Sequence, residues 1–184
     1  MLIYKLQIMG LSKVRRNGFG ELRTPRGLTF LYSGKQDEEY CYAPTNLASE
    51  EDKEDFYRAL KLTLKKIRQQ NIVIVMEDLN AKVDTKNNGR QRHMGIHGMG
   101  VGNENGAKFL EFCQDNDLTI GGTSFIHGDH HKYTWNSPDG VMKNQIDHLA
   151  ISSKWRSSLL DVRKRRGANI NCDHHLLSRR RGAT

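Results

Sequence analysis

A carboxylate and a carboxamide spaced i, i+2, Asp78 and Asn80, close the run Asn71-Ile72-Val73-Ile74-Val75-Met76-Glu77-Asp78-Leu79-Asn80. Acid plus amide at the mouth of a buried strand can hold a divalent cation, a water or a phosphate. The plainer alternative is a strand that ends in turn-forming Asp and Asn. Three later segments supply matching groups: Asn144-Gln145-Ile146-Asp147-His148, Lys132-Tyr133-Thr134-Trp135-Asn136-Ser137-Pro138-Asp139-Gly140, and Cys172-Asp173-His174-His175. Metal-assisted phosphodiester cleavage needs this set. A carboxylate binds Mg²⁺, which neutralises charge developing on phosphate. A histidine donates to the phosphate while a second carboxylate fixes its tautomer. Another acid, with an amide beside it, aligns a water for in-line attack.

These side chains need strands and helices to position them. Ile72 to Met76 are five apolar residues, four of them β-branched, and read as a buried strand. On a strand continued to Asn80, the i, i+2 spacing would place Asp78 and Asn80 on one face, with Glu77 on the other. Residues 50–70 read as the best helix. Ser49 and Asp52 resemble a capping box, acids crowd the first turn and Lys65, Lys66 and Arg68 the last, while Phe56, Leu60, Leu64 and Ile67 share a face. Asn105 to Asp115 reads as a second helix. Short strands are expected at 6–14, 28–32, 40–43, 118–121, 132–136, 145–151 and 159–164. Residues 81–102, rich in Gly, Asn, Lys and Arg, read as a long mobile loop, and the tail from Ser178 as frayed. Helices interleaved with short strands predict a layered α/β sandwich.

Composition narrows the class. The chain has 184 residues, enough for one domain with a core. Its hydrophobic content is 36% and its mean hydropathy −0.70, yet distinct apolar runs argue against wholesale disorder. No run of about 20 apolar residues supports a membrane span, and the N-terminus lacks a signal-peptide pattern. Cys41, Cys113 and Cys172 are odd in number and widely spaced, which predicts no disulfide framework and a reducing compartment, nuclear or cytoplasmic. A net charge of +8 favours a polyanionic partner, naturally nucleic acid. Thr134, beside the site, and Arg163, Lys164, Arg165 and Arg166 are the candidate nucleic-acid contacts. A monomer is expected.

Five ordered segments carry a resemblance: Tyr40-Cys41-Tyr42-Ala43-Pro44-Thr45, Asp78-Leu79-Asn80-Ala81-Lys82-Val83, Thr134-Trp135-Asn136-Ser137-Pro138-Asp139-Gly140, Asn144-Gln145-Ile146-Asp147 and Asp173-His174. Together they resemble the endonuclease/exonuclease/phosphatase superfamily, and within it the apurinic-type endonuclease domains of RTE/BovB-type retrotransposons. The resemblance runs from about Leu6 to Leu177. It implies a four-layer α/β sandwich of two packed mixed β-sheets flanked by helices, and Mg²⁺- (or Mn²⁺-) dependent nicking of DNA. On this resemblance Asp78 aligns the attacking water, Asn80 and Tyr42 contact the scissile phosphate, His174 binds phosphate, Asp147 orients His174, and Asp173 lies at the metal. Trp135 reads as core packing.

The chain departs from the family pattern in ways that predict impaired cleavage. Gly10-Leu11-Ser12-Lys13 stands where the family has Gly-Leu-Ser-Glu, so Lys13 occupies the position of the usual metal-ligand Glu. At about 4 Å and an effective dielectric near 20, each unit-charge pair is worth roughly 4 kcal/mol, so a cation there opposes a divalent ion strongly. Lys13 is instead expected to act as a counter-ion for Asp78 and Asp173. The family's first strand would precede Met1, and additional strands would lie between Glu39 and Tyr40. The expected organisation is therefore an N-terminally truncated domain over 1–177 with an internal deletion near 39–40, then a basic disordered tail over 178–184. Glu77, Leu79 and Cys172 also replace a Gly, an aromatic residue and a Ser. The rival readings are a non-catalytic nucleic-acid binder and a degenerate transposon-derived remnant. A zinc site from His127, His130, His131, Cys172 and His174 matches no standard spacing, and these histidines read as a polar loop.

Overall fold

The computed structural model describes residues 20–23, 29–32, 43–67, 71–164 and 177–181. The expected strand at 6–14 and most of that at 40–43 lie outside these segments. Ala43 and Pro44 belong to no strand or helix.

Among the described residues the strands form four small antiparallel sheets. β1 (Gly20–Arg23) pairs with β2 (Thr29–Tyr32). The central sheet has the order β3-β7-β4, from β3 (Ile74–Asp78), β4 (Leu118–Ile120) and β7 (Asp147–Ser152). A hairpin joins β5 (Trp135–Asn136) to β6 (Lys143–Asn144), and β8 (Leu159–Lys164) pairs with β9 (Leu177–Arg181). The expected frayed tail is thus corrected up to Arg181: Ser178 to Arg181 belong to a strand, because β8 offers them a ladder.

The helices form where their caps and stripes dictate. α1 (Glu50–Lys65) begins at Ser49, whose hydroxyl accepts from the Asp52 N–H at 3.1 Å and donates to the Asp52 carboxylate at 2.7 Å. Its Phe56, Tyr57, Leu60 and Leu64 pack on the core. α2 (Glu104–Asp115) begins at Asn103 and buries Phe109, Leu110, Phe112 and Cys113.

The central sheet is covered on both faces, so its strands are apolar almost throughout. One face, with Val75 and Ala150, meets α2 and the stripe of α1. The other, with Ile74, Leu149 and Ile151, meets Leu159 and Val162 of β8. Between β3 and α2 the structure differs from the expected mobile loop. Ala81, Val83 and Met94 are buried there. The backbone is also tied: Ile120 N–H donates to His93 O at 2.8 Å, and His97 N–H donates to Thr123 O at 2.9 Å. Gly95 allows a close backbone approach here: a Cβ would lie 2.1 Å from Thr123 O.

Candidate functional site

β3 ends at Asp78 and β7 begins at Asp147, and the ladder sets these two residues directly opposite each other. Register partners in an antiparallel pair share a face. Alternation from Ile74 and Ile151 puts both carboxylates on the face turned toward β8, at the end of the sheet. They are 3% and 7% exposed. The structure therefore brings together two acids that lie far apart in the chain. The strand runs to Asp78 rather than stopping at Met76, because β7 continues to offer hydrogen-bond partners; the Leu79 N–H donates to Ile146 O at 3.0 Å.

Asn80 lies beyond the strand, so the same-face expectation for Asp78 and Asn80 does not apply. Its φ of 48° is left-handed, a conformation that asparagine tolerates better than most residues. Three hydrogen bonds hold it. Its N–H donates to Asp78 Oδ1 at 3.1 Å, its amide Nδ2 donates to Ala43 O at 3.0 Å, and its carbonyl accepts from Asn103 Nδ2 at 3.0 Å. The first bond orients the Asp78 carboxylate. The second ties the end of β3 to the residue that follows Tyr42.

Thr134 is fully buried, and its hydroxyl accepts from the N–H groups of Ile146 and Asp147 at 3.1 and 3.0 Å. It cannot reach nucleic acid. The expected nucleic-acid contact is instead a positioning residue, which fixes the chain where β7 starts and Asp147 is presented. Lys164 is likewise corrected. It is 4% exposed, with Nζ 3.5 Å from the ring centroid of Tyr133, a cation–π contact that turns it inward. Arg163 remains partly exposed and pairs with Asp161 at 2.8 Å. Tyr42, His174, Asp173, Lys13, Arg165 and Arg166 lie outside the described residues.

The opposite face of the same strands holds a second polar pair. Glu77 and His148 are register partners. This agrees with the expected turning of Glu77 away from Asp78. Burial pushes the Glu77 carboxyl up to about 9, helped by the negative charge of Asp78, and its Oε1 has no hydrogen-bond partner. His148 is 1% exposed, hydrogen-bonds to Ala81 O through Nε2 at 2.7 Å and packs on the Phe109 ring. Burial lowers its pKa, which keeps the imidazole neutral. Sequence reasoning missed the roles of His148 and Asn103. Asn103 shows a local signal, a cap residue just before an amphipathic helix. His148 shows only its alternation with Asp147.

The fit of a divalent cation can be judged from the donors. Mg²⁺ takes about six oxygen ligands in near-octahedral geometry. The described residues gather no group of three or more His, Cys, Asp or Glu side chains able to hold a metal ion. Asp78 and Asp147 do not form a metal cage by themselves, and one Asp78 oxygen already caps the Asn80 N–H.

Comparisons with known proteins agree with this architecture. No protein-family model matches the chain. It is 38% identical over 139 residues to craniofacial development protein 2 of Bos taurus, covering 74% of this chain and 23% of that protein. It is 37% identical over 188 aligned positions to craniofacial development protein 2 of Tragulus javanicus, covering 91% and 32%. The chain thus spans about a quarter to a third of the length of these relatives. Among solved structures it is similar to the 3′-5′ exonuclease NExo from Neisseria meningitidis, with a TM-score of 0.54, 20% identity, and coverage of 77% of this chain and 59% of that one. It is also similar to the 3′ phosphatase NExo bound to a product DNA hairpin, with a TM-score of 0.59, 16% identity, and coverage of 92% and 66%.

Proposed function

We propose that this chain, which shares the α/β fold of the endonuclease/exonuclease/phosphatase superfamily and is similar to craniofacial development protein 2, is a DNA-directed protein descended from a retrotransposon endonuclease and impaired in cleavage. The observation that carries the reading is the facing pair Asp78 and Asp147 at one end of the central sheet, positioned by Asn80 and Thr134. Burying two carboxylates side by side costs free energy that pairing and hydrogen bonding must offset, so their retention at a sheet end favours a functional role there. The resemblance assigns the two acids of the pair the water-aligning and histidine-orienting roles. The nearest described support for binding DNA is the net charge of +8.

In this reading Asp78 faces the attacked phosphate with its carboxylate held by the Asn80 N–H. Asp147 is presented by the Thr134 clamp and orients His174, while Asp173 keeps its place beside a metal position that Lys13 now opposes. Tyr42 and Asn80 contact the phosphate. Divalent-metal chemistry, Mg²⁺ or Mn²⁺, is the function this substitution weakens. The chain acts as a monomer in the nucleus or cytoplasm. Arg163 with Arg165 and Arg166 provides the backbone contacts.

A gel shift with duplex DNA at rising salt tests the binding half of the proposal. Retarded complexes that weaken steeply as salt rises, with the DNA recovered intact, are expected. No complex at low salt would overturn it. A shift insensitive to salt would contradict phosphate contact as its source.

A further inference from the structure

Three histidines gather beside β8. His127 Nε2 donates to Asp161 Oδ1 at 2.6 Å, and the other Asp161 oxygen accepts from Arg163 at 2.8 Å. His131 stands between its fellows, with ring centroids 4.1 Å from His130 and 6.1 Å from His127. His130 is exposed, and His127 and His131 are half-buried. The short 3₁₀ turn Asp129–His131 that carries two of them packs against β8.

We propose that this cluster makes polyanion binding proton-linked: the protein binds nucleic acid phosphates more tightly as His127, His130 and His131 take up protons. The proposal rests on the nucleic-acid reading above and deepens it. The described charged groups facing the cluster are Asp161 and Arg163 from β8, with Asp129 and Lys132 from its own segment. Lys132 reaches Asp129 at 4.0 Å. Two carboxylates balance two cations, so with neutral imidazoles these groups have no net pull on phosphate. Protonating the imidazoles gives the patch a positive charge. Imidazole is the side chain whose charge ordinarily changes between about pH 5 and 8. Positive charge gained on proton uptake attracts phosphate, so proton uptake and phosphate binding favour each other.

A polyanion as the partner follows from the nucleic-acid reading and the net charge of +8. β9 places Arg181, Arg180 and Arg179 in register with Leu159, Asp161 and Val162 of β8. Of these three positions, Arg180 is the one whose register partner, Asp161, belongs to the cluster. The described residues form no metal-binding group here.

The test is fluorescence anisotropy of the full chain with a duplex 20-mer carrying a pH-insensitive dye, at constant ionic strength from pH 5.5 to 8. Affinity is expected to rise roughly tenfold or more toward pH 5.5. The variant His127→Gln/His130→Gln/His131→Gln is expected to keep the pH 8 affinity and lose most of the slope. His130→Arg/His131→Arg, which leaves the His127–Asp161 bond in place, is expected to bind at pH 8 as tightly as the unaltered chain does near pH 5.5. A cooperative melt of each variant establishes that it folds, and the arginine variant carries the test if the glutamine variant does not. Binding with no pH dependence, or a slope kept in both variants, would overturn the proposal while leaving the nucleic-acid reading intact. No binding at any pH would overturn both. Equal competition by polyglutamate of matched charge would overturn nucleic acid as the partner.

Discussion

Glu77 is a carboxyl held on an interior face between its register partner His148 and the charge of Asp78, and it keeps its proton to about pH 9. The unfolded chain releases that proton near 4.5. Between about 4.5 and 9 the folded state therefore binds the extra proton, and stability falls as pH rises through that window. Glu77→Gln removes the ionisation. It should raise the unfolding free energy by about 1–3 kcal/mol at pH 7 and by almost nothing near pH 4.5, as urea titrations at the two values would show. Thr134 makes a second residue-scale prediction. Thr134→Val strips the acceptor from two buried N–H groups and should cost about 2–4 kcal/mol, whereas Thr134→Ser keeps the oxygen and should cost less than half as much. At this scale sequence reading identified chemical types well and roles less well. The motifs named Asp78 and Asp147 as site acids, and the β3–β7 register then set them face to face. The role of the fully buried Thr134 did not follow from the motifs, because a hydroxyl that caps backbone N–H groups looks in sequence like one that greets a phosphate.

The strand carrying Asp78 is positioned by the N-terminus of α2. Asn103 Oδ1 accepts from the N–H groups of Gly106 and Lys82, both at 2.8 Å, and its Nδ2 donates to the Asn80 carbonyl. Gly106 lets this contact close: a Cβ there would lie 1.8 Å from the Lys82 carbonyl oxygen, a clash with backbone that no rotamer relieves. Gly106→Ala should therefore destabilise the fold by more than about 2 kcal/mol. It should also raise hydrogen exchange at Asn80 and Lys82. Gly89→Ala, with open space around it but a φ of 73°, should cost only about 1–2 kcal/mol of local strain and leave those amides protected. Equal effects from the two variants, read by denaturation and exchange, would contradict the clasp. Both helices were legible, because caps and stripes are local signals. The segment 81–102 was not. Its order comes from Asn103, Thr123 and Ile120, partners supplied by later elements, which local composition does not reveal. The same holds for β9, whose arginines read as a tail until β8 is placed beside them.

For the whole molecule, opposing titrations shape the stability profile. Glu50, hydrogen-bonded to Lys108 and Lys53 at the junction of α1 and α2, has its pKa lowered to about 2. Its contribution is present above about pH 4.5 and is lost as pH falls toward 2. Glu77 acts in the other direction above 4.5. The thermal midpoint should therefore peak on the acid side of neutrality and decline toward pH 9. Glu77→Gln should flatten the alkaline decline and leave the acid limb unchanged; an unchanged alkaline limb would contradict the assignment. The α/β class was legible because its apolar runs are short and separated by helical stripes. The division into small antiparallel ladders was not, since pairing depends on residues distant in the chain. The central claim of the proposed function is that the fold keeps its facing acids, Asp78 and Asp147, while Lys13 opposes a metal. Its most direct test is nicking of supercoiled plasmid with Mg²⁺ by the unaltered chain, by Lys13→Glu and by Asp78→Ala. The account predicts little or no nicking by the unaltered chain and a gain in Lys13→Glu. Robust Mg²⁺-dependent nicking by the unaltered chain, abolished by Asp78→Ala, would contradict it.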